Sequence, residues 1–413
     1  MKILLITARF YPEPFTISRI AKELANRGHK ITVLTGRPNY GKWKIYDGYE
    51  NVNFEDYFGI NIIRVNEKIR KKGIFGLIKN YVSIYVEYKK ALKNIPCDYD
   101  IVFSHVMSPI FAISKVGNFC KKNHIPHFHY GFDLWPESLI AAGYMSRKNI
   151  IFSFVKKRCI KIYNSCDLIS FASPSTKAYF NDYLKIDKPF VHIYQPCLND
   201  PPLIADITNH KYCSDGKIHI LFCGTIAKFN HLDLFIKALD CEQFKNKIIF
   251  DLVGSGSDQN KIEKLVEETN LSNNVIFHGR VPSESTKSFY NRADVLFVPL
   301  YANSATSLMI PQKLIEYFMH GRPIFGMIKG DGANMLKQAS QFNLICDQTI
   351  ESIRFFMSKL CDTTIETLEK CGQENRKFYD SNERFKLEKV CDEIEECMTN
   401  LSIKFKDKTI INN

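Results

Sequence analysis

One pattern governs this chain: a short unbroken apolar run, a segment with apolar residues at helical spacing, then another apolar run. "KILLIT" (2–7) leads into "ISRIAKELANRGH", where Ile17, Ile20, Ala21 and Leu24 share a helix face that stops at Gly28, and then into "KITVLTG" (30–36). Runs at 60–65, 100–106, 126–131 and 167–173 continue the rhythm. A strand without polar alternation has to be covered on both faces, so strands alternating with helices predict parallel sheets between helix layers. The rhythm breaks at "QPCLNDPPLIAD" (195–206), dense in Pro, Asn and Asp, and restarts with runs at 217–224, 247–256, 274–280, 294–300 and 323–328. The prediction is α/β, with two Rossmann-like doubly wound domains facing a cleft. Their bounds are 1–196 and 207–375, joined by a linker at 197–206, and a helical segment at 376–413 can cross back to the first domain.

A chain of 413 residues has room for two such domains. Apolar content of 45% and charged content of 24% describe a soluble globular protein. The net charge of +12 points to an acidic partner: a phosphorylated ligand, an anionic membrane surface or nucleic acid. The basic residues are dispersed and form no recognised module, which disfavours nucleic acid. No apolar run reaches the length of a membrane-spanning helix, and "MKILLITARF" is too short for a secretory signal core. Thirteen cysteines include no Cys-x-x-Cys pair, so neither a zinc pattern nor a disulfide framework emerges, and reduced cytosolic thiols are expected.

Ligands of doubly wound sheets bind beyond the carboxyl ends of the strands, so the strand-end loops are the candidates. "TARFYPEPFTISR" (7–19) is long and aromatic, either an ordinary connection or a loop that grips substrate. "HYGFDLWPES" (129–138) places Asp133, Trp135 and Glu137 together; an indole beside carboxylates suits a sugar, though Asp133 could cap a helix and Trp135 could be core. "VGSGSDQ" (253–259) offers flexible backbone near a helix N-terminus, which suits phosphate, but Gly254-x-Gly256 lacks the third glycine of a dinucleotide signature. "FCGTIAKFNH" (222–231) adds Thr225, Lys228 and His231, each able to reach an anion, and no P-loop is present. In "IPQKLIEYFMHGRPIFG" (310–326), Pro311 opens a helix and Gly321 with Pro323 closes it. Lys313 and Glu316 share a face of that helix, as a surface ion pair or as the edge of a nucleotide site.

Jointly, "RFYPEPFTISRIAKELANRGHKITVLTGRPNY" (9–40), "DLWPES" (133–138), the Gly224 and Gly254-Ser-Gly256 strand ends, "FHGRVP" (277–282) and "PQKLIEYFMHGRPI" (311–324) resemble the GT-B glycosyltransferases of family 4. The likeness is strongest to the bacterial WbuB-like branch that builds O-antigen and capsule. It implies a nucleotide-sugar donor, UDP-linked, held in the C-terminal domain and a glycan or polyprenyl-diphosphate-linked glycan acceptor held mainly in the N-terminal domain. Retention of anomeric configuration and independence of metal or other cofactor follow from the same likeness. Glu316 matches the glutamate that binds the ribose, and Gly279, Arg280 and Val281 match the loop that reads the base. Gly224, Thr225, Lys228, Gly254, Lys313 and Leu314 complete the implied donor set. Asp133 falls where a polar group lies near the reacting sugar, with Glu137 beside it, and Arg9, Tyr11, Pro12, Glu13, Arg19 and Trp135 are the implied acceptor side. Two departures stand out. Leu308 replaces a glutamate eight positions before Glu316, and Thr225 and Asn230 replace the Arg and Lys that usually hold the diphosphate, leaving Lys228, Lys313 and Arg280 as substitutes.

"KIRKKGIFGLIKNYVSIYVEYKKALKN" (68–94) combines basic ends with Ile74, Leu77, Ile78, Tyr81, Ile84, Tyr85, Tyr88 and Leu92 at helical spacing. Such a face can lie on anionic lipid or simply be core. The lipid reading predicts a cytoplasmic protein held on the inner face of the cytoplasmic membrane. Three functions stay open: a sugar transferase, a sugar-nucleotide epimerase on the same plan, and a non-catalytic nucleotide-sugar-binding protein.

Overall fold

A computed structural model of the chain describes residues 1–42, 44–71, 73–300 and 306–411. The chain forms two units: 1–140 with 144–198 and 386–413, and 141–143 with 199–385. Both are α/β, and each is built on a sheet that is parallel in all but one strand of the first.

The first unit holds β1 (Lys2–Thr7), β2 (Lys30–Gly36), β3 (Phe54–Tyr57), β4 (Ile60–Val65), β5 (Ile101–His105), β6 (His127–Tyr130), β7 (Leu168–Phe171) and β8 (Phe190–His192) in the order β3-β4-β2-β1-β5-β6-β7-β8. Ile3 lies opposite Ile31 on one side and Ile101 on the other, so the apolar run at 2–7 becomes the middle of the sheet. The second unit holds β9 (Ile218–Cys223), β10 (Ile248–Val253), β11 (Val275–Gly279), β12 (Val295–Pro299), β13 (Ile324–Met327) and β14 (Leu344–Ile345) in the order β11-β10-β9-β12-β13-β14. Phe235, Phe250, Phe297 and Phe325 pack ring against ring in its core.

Six helices matter below: α1 (Thr16–Asn26), α2 (Ile74–Asn94), α3 (Ile150–Asn164), α4 (Gln312–His320), α5 (Ile365–Ser381) and α6 (Leu387–Ile411). α6 belongs to the first unit, where Val390, Ile394 and Met398 join Ile17, Ile20 and Leu24 of α1 in one core. Arg27 ties the pair at the rim through Asp392 (2.8 Å) and Glu395 (3.0 Å).

Part of the apolar stripe read in 68–94 proves to be a core face. Leu77, Ile84, Tyr88 and Leu92 are buried, because α2 covers the sheet. Another side of the helix is open, carrying Ile78 of that stripe together with Phe75 and Val82, all more than half exposed. Lys72 and the side chain of Ile74, both part of that reading, lie outside the described residues. Among the described residues no helix is long and apolar enough to cross a membrane.

Candidate functional site

In the first unit, side chains gather at the carboxyl ends of β1, β2, β4, β5 and β6. The loop after β1 turns back on itself through buried Glu13, whose Oε1 accepts from the backbone N–H of Asn39 (2.8 Å) and Tyr40 (2.7 Å) in the loop after β2. Arg9 reaches the same Glu13 oxygen (3.3 Å) and lies 3.8 Å from Glu67, which follows β4. Glu67 is buried, and burial pushes its carboxyl up to about 7 against the pull of Arg9. Arg64 on β4 donates to the Tyr11 carbonyl, and the Tyr11 ring stacks on Tyr57 at 4.1 Å. Pro12 completes this turn. Arg19 lies apart from the group: its guanidinium donates to the Cys197 (3.3 Å) and Leu198 (2.6 Å) carbonyls, clamping the chain where the first unit's central run of residues ends.

Beyond β5 and β6, Asp133 Oδ2 accepts two bonds from Ser108, one from its N–H (2.8 Å) and one from its hydroxyl (2.6 Å). Burial raises the Asp133 carboxyl while those two bonds lower it, and burial wins. Burial raises the hydroxyl of Tyr81 on α2, with Asp133 adding to the rise and Arg70 and Arg9 opposing it. Trp135 offers no sugar platform here: it is 1% exposed, with Tyr81 and Phe111 edge-on at 5.7 and 5.5 Å. Its indole N–H instead donates to the Ser108 hydroxyl (3.1 Å), so it positions the serine that holds Asp133. Glu137 is equally buried, bound to the Tyr179 hydroxyl (2.8 Å) and Arg147 (3.0 Å), and so stands as an internal ion-pair partner.

In the second unit, three neighbouring strands end in glycine-containing loops. Gly224 N–H donates to the Val253 carbonyl (2.8 Å) and Gly254 N–H to the Gly279 carbonyl (2.7 Å), so the ends of β9, β10 and β11 are laced together by backbone. A Cβ on Gly254 would lie 1.9 Å from the Gly224 oxygen, and Gly254 adopts φ +135°; only glycine lets these two chains approach so closely. Lower on the same strands, His219 bridges Asp215 and Asp251 (3.1 Å each) and His278 bonds Asp251 (2.6 Å). The Asp251 bond, with Asp215 behind it, lifts His219 to about 9, so it carries charge at neutral pH.

α4 supplies the charged groups. Pro311 precedes it and Gly321, at φ +59°, ends it, as the spacing predicted. The Lys313 ammonium lies 4.4 Å from the centre of the Phe222 ring on β9, and a Cβ on Gly224 would come within 2.6 Å of it. Burial draws that ammonium down to about 8, with Cys223 and Glu316 opposing. Glu316 is 9% exposed and accepts from Asn199 Nδ2 at 2.8 Å. This carboxylate is therefore turned inward, unlike an ordinary surface ion pair. Leu314, between them, is fully buried, so its side chain is core and cannot touch a donor.

The remaining candidates spread around these strand ends. Thr225, Lys228 and Arg280 are exposed and Val281 is half-buried. Asn230 is buried, and its amide donates to the Thr225 carbonyl (2.6 Å), so it shapes the β9 loop and does not face a ligand. Leu308 sits in a short 3-10 turn, just after residues 301–305, which are outside the described set. Ser108, Glu67 and Asn199 were not singled out by sequence, and Tyr81 was read only as part of the 68–94 stripe; each acts through a partner that only the fold brings near. Among the described residues no three His, Cys, Asp or Glu side chains gather as a metal site.

A mostly parallel sheet in each unit, with polar groups gathered at the strand ends, places the chain in the two-Rossmann α/β class. Residues 16–197 match the model of glycosyltransferase family 4 and residues 208–377 that of the glycosyl transferases group 1. With both halves matched, the chain belongs to the GT-B glycosyltransferases, family 4. A curated relative is an uncharacterized glycosyltransferase, MJ1607, of Methanocaldococcus jannaschii, 19% identical over 72% of this chain and 74% of its own. Among solved structures, sucrose-phosphate synthase from Thermosynechococcus elongatus superposes with TM-score 0.73, 15% identity, and coverage of 97% of this chain and 99% of that one. HepE of Anabaena, solved with UDP and glucose, gives TM-score 0.69 at 13% identity, covering 97% and 100%. WaaG, a glycosyltransferase involved in lipopolysaccharide biosynthesis, gives 0.65 at 16% identity, covering 94% and 98%.

Proposed function

We propose that this enzyme moves a hexosyl or N-acetylhexosaminyl group from a UDP-linked donor to a glycan, or a polyprenyl-diphosphate-linked glycan, during bacterial cell-surface polysaccharide synthesis. The reading is supported above all by Glu316, an inward-turned carboxylate one helical turn from a half-buried lysine, beside the glycine-laced strand ends. A carboxylate accepts both ribose hydroxyls of a nucleotide, and a cation beside glycine backbone suits a diphosphate. That structural neighbours such as HepE carry UDP or UDP-glucose favours uridine as the base.

Cleaving a glycosyl–phosphate bond builds positive charge on the sugar and negative charge on the departing diphosphate. Half-buried Lys313 would stabilise the latter most, since a charge drawn away from water acts strongly on it, with the exposed Lys228 and Arg280 adding a water-screened share. In a front-face reaction with retention, the leaving diphosphate takes the acceptor's proton. The paired carboxylates of a glycoside hydrolase are then unnecessary. Asp133, held by Ser108, is assigned to positioning the reacting sugar or the acceptor hydroxyl, and Arg9, Tyr11, Pro12 and Glu13 to the acceptor side. The basic stretch 68–94 is assigned to an anionic membrane at the cytoplasmic face, through the open side of α2 carrying Phe75, Ile78 and Val82.

UDP release from a panel of UDP-sugars tests this reading. Release that depends on an added glycan or lipid-linked acceptor is the expected result, with Asp133→Asn slowing transfer while leaving donor binding intact. An isomerised UDP-sugar formed without acceptor would establish the epimerase instead, and unimpaired Asp133→Asn turnover would remove that residue from the account.

A further inference from the structure

A second helix of the first unit exposes an apolar surface that neither the catalytic account nor the 68–94 stretch uses. At the start of α3, Ile150, Ile151 and Phe154 are 85%, 57% and 59% exposed. They are not fraying residues of a poorly seated helix. Asn149 caps the first turn through the Ile151 N–H (2.9 Å), and Phe152, Cys159, Ile162 and Tyr163 on the opposite side are buried. At the far end, the Tyr163 hydroxyl exchanges hydrogen bonds with the backbone of Trp135 (3.2 Å each way). α3 is a firmly docked helix that nevertheless presents three large apolar side chains at its tip.

The charge on α3 and on the loop before it has one sign, with Arg147 paired to buried Glu137 (3.0 Å). Between Ser138 and Cys166 the chain carries Arg147, Lys148, Lys156, Lys157, Arg158 and Lys161 and no acidic residue. Lys148, Lys157, Arg158 and Lys161 are exposed. Arg158 stacks on Phe154 at 5.1 Å, so an apolar ring and a cation share one surface point. α2 lies close by: Arg70, just before α2, donates to the hydroxyl of Tyr144, just before α3. Both helices return antiparallel to the strands they connect, so both tips lie at the carboxyl edge of the sheet, the edge that holds Asp133 and Arg9.

We propose that the tip of α3 is a lipid-inserting wedge that docks the first unit on an anionic bilayer surface, alongside the open face of α2. The identity of that surface rests on the membrane attachment proposed above. Apolar side chains at the leading end of a helix, with cations one turn behind, match the depth profile of an acyl boundary beneath anionic headgroups. A second copy of the chain is a poor occupant, because two such tips would bring like charges face to face. Seated this way, the acceptor-side loops face the plane in which a lipid-linked sugar would present itself.

Flotation of the full-length protein with phosphatidylcholine vesicles, with and without phosphatidylglycerol, tests the wedge. Wild type should float with the anionic vesicles and release at high salt. The double variant I151E/F154E should partition at least about tenfold less, with an unchanged melting temperature and unchanged UDP binding, since both positions are exposed. Equal flotation of variant and wild type, no flotation of wild type, or a lipid-free dimer that the variant abolishes would each overturn the proposal. UDP binding on the same samples separates the two readings: its absence would sink the donor assignment and leave the vesicle result standing.

Discussion

Lys313→Ala lowers kcat/KM for sugar transfer by about 10²–10³-fold, the loss typical of removing one preorganised charge from a transition state that builds up anion. Lys228→Ala, which removes an exposed cation from the neighbouring loop, costs less than about tenfold, because water already screens it. The lysine effect carries a pH signature. Burial leaves the free Lys313 ammonium with a pKa of about 8, and only its protonated form attracts the diphosphate. Affinity for UDP is therefore complete below about pH 7 and falls as pH rises through 8. Lys313→Arg keeps its charge throughout and removes this alkaline limb. Calorimetric titration of UDP from pH 6.5 to 9.5 measures all three variants. A wild-type affinity that stays flat across this range, while Lys313→Ala is weak at every pH, would separate the lysine's role from its titration.

Gly254→Val is the second large effect. Its Cβ would fall 1.9 Å from the Gly224 oxygen and 2.9 Å from the Gly224 carbonyl carbon, both backbone atoms that cannot rotate away. Added to the strain of φ +135°, this clash costs about 3 kcal/mol of stability and splays the ends of β9 and β10. UDP affinity falls at least about tenfold, because the two loops no longer hold one shape. Gly216→Ala is the control: it also has positive φ (+80°) but meets nothing within 4 Å, so it should show only the backbone strain, about 1 kcal/mol, and no change in UDP binding. Chemical denaturation and UDP titration of the two variants give the comparison.

The strands that could be read in advance are those buried on both faces, such as Lys2–Thr7 and Val295–Pro299, where continuous apolar character leaves little choice. β3, β8 and β14 escaped notice because they are only four, three and two residues long, and β3 alternates outward-facing Phe54 and Asp56 along an antiparallel edge. In α2 the spacing identified a helix but not its inner face. Apolar residues nearly encircle it, and the choice between Leu77, Ile84 and Tyr88 inside and Phe75, Ile78 and Val82 outside is made by the sheet beneath. Trp135 misled for a related reason: its local neighbours are two carboxylates, while the rings that bury it come from positions 81 and 111. Helical spacing put Lys313 and Glu316 on one face. It could not say that Asn199, far back in the chain, would receive the carboxylate, or that Phe222 would lie under the ammonium. Sequence thus exposed the elements and the residue types of the site, and distant partners decided which groups face inward.

The most direct test of the nucleotide site is a crystal structure of the enzyme with UDP. The account predicts the ribose hydroxyls at hydrogen-bond distance, about 2.6–3.0 Å, from the Glu316 carboxylate, with the diphosphate lying between Lys313 and the Gly224 loop. A uridine bound on any other surface, with Glu316 still engaged only by Asn199 and its neighbours within the second unit, would contradict it.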